Sequence, residues 1–114
     1  MAMMRAVKAH PIPQRPPIRV AAGQRVQIGA RDTTWPAFVL VTTSDGEGWV
    51  PARYVDTGSS TPVMRAPYDT TELPTSAGEM LTVLFRDDLS GWTWVRNTAG
   101  QEGWVPDNTI EPTE

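Results

Sequence analysis

The stretch EGWVPARYV at residues 47–55 returns as EGWVPDNTI at residues 102–110, and that repetition governs how the rest of the chain is read. Gly48, Trp49, Val50 and Pro51 recur as Gly103, Trp104, Val105 and Pro106, 55 residues later. Upstream, AAGQRVQIGARD (21–32) matches SAGEMLTVLFRD (76–87) at the same spacing, and FVLV (38–41) lines up with WTWV (92–95) one residue short of it. Long matches at one spacing, with the slip confined to loops, mark one folding unit present twice. The reading places one copy at 1–57, a polar linker at 58–61 and the second copy at 62–114. The surrounding segment DTGSSTP (56–62) spans no more than about 25 Å at roughly 3.5 Å per residue, which keeps the copies side by side. Barrels this small gain little from one core, so docking of the two would stabilise both.

Inside each copy, apolar residues alternate. Val26 and Ile28, or Leu81, Val83 and Phe85, follow a glycine at period two. A second strand, FVLV or WTWV, ends in TTSDG (42–46) or RNTAG (96–100), where glycine suits a positive φ, and a third restarts at GWVP. Pro51 and Pro106 lack an N–H and stop the ladder, so a 3-10 turn and a last short strand are expected there. Eleven prolines and nine glycines leave few windows for a helix. The expected fold is all-β, two small five-stranded barrels in tandem.

These residues resemble the Src-homology-3 domain. APYD (66–69), Leu73 with AGE (77–79), TVL (82–84), GWTWV and GWVPDN resemble its successive elements. AAGQRVQI, WPAFVLV and GWVPARYV give the first copy a looser likeness, of the divergent bacterial type found singly or in tandem. The resemblance implies a non-catalytic peptide-binding adaptor whose row of aromatic side chains receives a Pro-rich segment. Its groove positions fall on Tyr68, Trp92, Trp104 and Pro106 in the second copy, with Thr109 in place of a tyrosine. In the first copy they fall on Phe38, Trp49, Pro51 and Tyr54, with His10 or Pro11 near the missing tyrosine. The second copy is the better binder on this reading.

The residues speak to the same face without the family. Trp104 and Pro106 share a side of their strand opposite Val105, and Trp92 and Trp94 share one opposite Thr93 and Val95, so the valines form the core and the rings lie outside. Such rings mark a contact site or, alternatively, are consumed where the two copies pack, a structural module that binds no peptide. Trp35 is a candidate plug between copies. Asp69, Glu72, Asp87 and Asp88 flank the aromatic shelf and favour a ligand bearing Arg or Lys; the plainer reading is a solvated acidic loop. Trp92→Ala is expected to abolish capture of a Pro/Arg-rich peptide. PQRPP (13–17) has P-x-x-P spacing and admits self-recognition, although stiffening of the loop is the simpler role.

Composition bounds the remainder. The 114 residues include no cysteine and one histidine, carry net −3, and are 39% apolar and 20% charged, within the range of folded soluble domains. Thiol catalysis, zinc knuckles and iron–sulfur ligation are excluded, and His10 cannot build an imidazole metal site, so neither cofactor nor metal is expected. No nucleophile with a base in reach and no Gly-rich phosphate cradle is evident. No apolar run suits a signal peptide or approaches the roughly 18 residues of a membrane span, which predicts a cytoplasmic protein with no membrane partner. Residues 1–57 hold seven basic and four acidic side chains, and 58–114 hold three and nine. Opposite signs would draw the halves together, and the tryptophan-rich half, being acidic, would repel nucleic acid.

Overall fold

The computed structural model describes residues 2–12, 15–58 and 60–113. Their regular structure is strand and 3-10 turn, as the spacing of Gly and Pro predicts. In chain order the strands are β1 (Met3–Ala6), β2 (Arg19–Val20), β3 (Gln27–Arg31), β4 (Phe38–Thr43), β5 (Gly46–Pro51), β6 (Val55–Asp56) and β7 (Val63–Met64). They continue as β8 (Tyr68–Asp69), β9 (Met80–Asp87), β10 (Trp92–Asn97), β11 (Glu102–Pro106) and β12 (Ile110–Pro112). The 3-10 turns Ala52–Tyr54 and Asp107–Thr109 follow Pro51 and Pro106, where the missing N–H ends each ladder. Gly46 and Gly100, in the turns before β5 and β11, take φ of 133° and 87°, the region closed to most side chains.

The chain divides into two compact units, and the boundaries differ from those the repeat suggested. One unit is Pro16–Thr70; the other joins Met1–Arg15 to Thr71–Glu114. The expected division was 1–57 and 62–114. The opening segment of each repeat has changed places: β1 pairs with β9 and β12, whereas β7 pairs with β6, and β8 with β2. A repeat shows that two sets of strands are equivalent. It carries no information on which opening strand completes which set.

The discontinuous unit builds one sheet of order β11-β10-β9-β1-β12, antiparallel at every pairing. One face supplies a core of Met4, Ala6, Leu73, Leu81, Val95, Val105 and Ile110, with Val83 against it. Alternation explains the choice: Met4 and Ala6 point inward from β1 while Met3 and Arg5 stay exposed. The Pro16–Thr70 unit has smaller sheets, β3-β4-β5, β2-β8 and β6-β7, over the buried side chains of Ile18, Val20, Val26, Val41, Val50, Val55 and Met64. The described residues form no closed barrel, so the two predicted five-stranded barrels are not what the sheets make. Pro62 and Pro67 flank the two-residue strands β7 and β8, and each removes a donor that a longer ladder would need.

Charge also redistributes. Pro16–Thr70 carries five basic and five acidic side chains, and the discontinuous unit five and eight. The opposite signs expected of the two halves are therefore not a property of the folded units, because Arg5, Lys8 and Arg15 fold with the acidic stretch. Pro13 and Gln14 of the P-x-x-P segment lie outside the described residues. Among the described residues no helix is long and apolar enough to cross a membrane.

Candidate functional site

In the Pro16–Thr70 unit, β8 sets Tyr68 opposite Val20 in β2, and the 3-10 turn after Pro51 ends on Tyr54. The two tyrosine rings meet edge to face, centroids 5.4 Å apart at 89°, the arrangement that ring quadrupoles favour. The Arg53 guanidinium carbon lies 4.9 Å from the Tyr54 centroid. Pro51 is buried and stands opposite the buried Phe38 in the β4–β5 ladder, while Trp49, two residues before it on the same side of β5, is half-buried. Beside Tyr68, Arg19 Nε donates to Asp69 Oδ2 at 3.1 Å. Arg19, Val20, Gln24, Pro67, Tyr68 and Asp69 line an open depression of about 420 Å³.

The discontinuous unit carries its rings on the face of β9-β10-β11 opposite the valine core, as alternation predicts. Trp92 forms one rung with Pro106 and Asp87, and Trp94 the next with Trp104 and Phe85. Trp94 and Trp104 meet edge to face at 5.3 Å, and Phe85 and Trp104 at 6.1 Å. The Trp94 indole N–H donates to Glu102 at 3.0 Å, and Arg96 donates to the same carboxylate through Nε at 3.0 Å and a terminal nitrogen at 2.9 Å. The indole bond first, then the guanidinium, hold the Glu102 carboxyl below its ordinary value. His10 lies edge-on to Trp92 with centroids 5.5 Å apart, and its Nε2 is 2.9 Å from Glu72 Oε1. Trp92 and Trp104 are nonetheless only 9% and 8% exposed, whereas Phe85 and Leu89 are 53% and 75% exposed.

The structure re-sorts the residues singled out in the sequence. Tyr68 meets Tyr54, in the unit of Phe38, Trp49 and Pro51. His10 stands beside Trp92. It bridges Thr75 as Tyr68 bridges Val20, the equivalent position 55 residues earlier. The four carboxylates belong to different units. Asp69 lies in the Pro16–Thr70 unit and Glu72 binds His10. Asp87 is buried where its carbonyl accepts the Ser90 and Gly91 N–H groups, and only Asp88 is fully exposed, 3.7 Å from Arg86. Sequence reasoning missed Asp107, which accepts the buried Thr93 hydroxyl at 2.7 Å. Its position after Pro106, where the strand gives way to a turn, was the available signal. Among the described residues no three His, Cys, Asp or Glu side chains could hold a metal ion.

Residues 66–107 match the family model of the SH3 domain. That stretch of the chain is therefore similar to an SH3 domain. Neither a curated protein nor a solved structure matches the chain. SH3 domains are in general non-catalytic binding modules that take proteins, typically through Pro-rich segments. The matched SH3 stretch crosses the boundary between the units: residues 66–70 fold with Pro16–Thr70 and residues 71–107 with the discontinuous unit. The first residues of the matched stretch, in β8, pair with β2, while β1 pairs with β9 and β12.

Proposed function

We propose that the chain is a tandem of two SH3-like units acting as a non-catalytic adaptor, and that the Pro16–Thr70 unit holds the groove for a Pro-rich, basic segment. The observation that carries this is the edge-to-face pair of Tyr54 and Tyr68 beside an open depression. It unites in one unit the two tyrosines that the repeat had assigned to different copies. Flat rings at right angles make a cleft for a proline ring, and a polyproline II ligand loses little entropy on entering it. Asp69 supplies the charge for an Arg or Lys. One of its partners, Arg19, is largely exposed, and such a pair is worth only about 0–1 kcal/mol, so a ligand guanidinium can take the place of Arg19.

The test is titration of the full chain with a Pro/Arg-rich peptide, followed by calorimetry. Tyr54→Ala is expected to weaken binding by about tenfold or more, roughly 1.4 kcal/mol, with Trp92→Ala close to the parent. Loss on Trp92→Ala alone moves the groove to the discontinuous unit, and loss in neither variant removes the reading. Tyr68, Trp92 and Trp104 are 8%, 9% and 8% exposed, so exposure does not separate the two units and the two variants do.

A further inference from the structure

Strand β1 is gripped on both edges by strands that the chain reaches much later. Met4 lies opposite Leu81 in β9 and Pro112 in β12, and Arg5 lies opposite Met80 and Glu111. Its inward side chains, Met4 and Ala6, complete the core of Leu81, Val95, Val105 and Ile110. The plug runs on to His10, which bridges Thr75 and bonds Glu72, and beyond it the segment that leads to the Pro16–Thr70 unit buries little: Pro11, Ile12 and Arg15 are exposed.

The Pro16–Thr70 unit contains a slot of the same construction. There Met64 pairs with Val55, and its carbonyl accepts the Gly23 N–H at 2.7 Å. In β1, Ala6 pairs with Ile110, and its carbonyl accepts the Gly78 N–H, also at 2.7 Å. One chain therefore holds two like slots and two like strands, and each slot is filled by the strand that sequence order assigns to the other.

We propose that the slot between β9 and β12 also accepts β1 from a second copy of this chain, giving a reciprocally strand-exchanged dimer. Every ladder pair and core contact of β1 is the same whether the strand arrives from its own chain or from another. The balance is therefore set by the effective concentration of the tethered strand against the concentration of protein, not by new contacts. The tether weakens the intramolecular side of that balance. Pro11, Pro16 and Pro17 stiffen it toward extended geometry, which lowers the effective concentration of a strand that must fold back. Exchange is two-fold and uses up both strands, so assembly stops at two copies.

The absence of native cysteine supplies the test. Met3 and Thr82 are partners in the β1–β9 ladder, with Thr82 Oγ1 3.4 Å from Met3 Sδ. Full-length Met3→Cys and Thr82→Cys variants are unfolded, mixed, refolded together at about 1 mM, near the effective concentration of a short tether, and oxidised. Exchange brings the thiol introduced in β1 of one copy beside the thiol introduced in β9 of the other. The mixed disulfide dimer should then exceed each like-with-like dimer several-fold over the random two-to-one ratio. Refolding a hundredfold more dilute should bring the excess back toward random. A random ratio at high concentration overturns the proposal. The unmodified chain gives an independent reading: refolded at high concentration it should show a species of twice the chain mass by light scattering, decaying on dilution, and a single chain mass throughout overturns the proposal equally.

Discussion

Glu102 shows how single side chains tune the ring-bearing face. The Trp94 indole and the Arg96 guanidinium both stabilise its ionised form, so the folded carboxyl titrates lower than the unfolded one. The sign follows by linkage: the contribution is fully present above the unfolded value and is lost as pH falls through the folded value. Urea unfolding followed by tryptophan fluorescence should therefore show stability falling as pH drops below the ordinary carboxylate range. Glu102→Gln should flatten that fall while leaving fewer differences between the proteins at low pH. A slope unchanged by the substitution would mean that Glu102 contributes nothing through its charge. Period two makes this face legible in the sequence, because Val95 and Val105 in the core oblige Trp94 and Trp104 to lie outside. The Trp94–Glu102–Arg96 bonding was not, since it depends on the register of β10 against β11.

At the scale of elements, the two copies of EGWVP look alike and are supported differently. In β11 the residue after Gly103 is clasped by the incoming segment, with Trp104 N–H donating to the Thr71 carbonyl at 2.9 Å and Leu73 N–H to the Trp104 carbonyl at 3.0 Å. A Cβ at Gly103 would meet the Leu73 nitrogen at 2.7 Å and the Glu72 carbonyl carbon at 2.9 Å, backbone that cannot step aside without breaking those bonds. At Gly48 a Cβ would meet side-chain atoms instead, Thr70 Cγ2 at 3.0 Å and Ile18 Cγ1 at 3.3 Å. Gly103→Ala is expected to cost about 1–3 kcal/mol in urea midpoint stability, and Gly48→Ala clearly less. Equal losses would refute the distinction. Strands β9, β10 and β11 were readable because five to eight residues give a period. Two-residue strands such as β2, β7 and β8 have none, and those are the elements that assign Tyr68 to its partner.

For the whole molecule, the exchange makes Pro16–Thr70 an insertion within the other unit. Its ends are stitched together: Ile18 N–H donates to Thr70 Oγ1 at 2.9 Å, and Thr70 N–H to the Ile18 carbonyl at 3.0 Å. Residues 16–70 should therefore fold when excised, with a cooperative thermal transition by circular dichroism. Residues 62–114, the copy suggested by the repeat, lack β1 and leave Leu81 and Ile110 without their Met4 and Ala6 cover, so they should show no such transition until residues 1–12 are added as a peptide. A cooperative transition of 62–114 alone would restore the simple tandem. The all-β class and the sides of the long strands were determined by sequence alone, because proline and glycine spacing and period two are local properties. Which opening strand completes which unit, and so that Tyr68 meets Tyr54, was decided by tertiary structure. Backbone ladders and small apolar plugs fit either slot, so only closure of the entire chain selects between them.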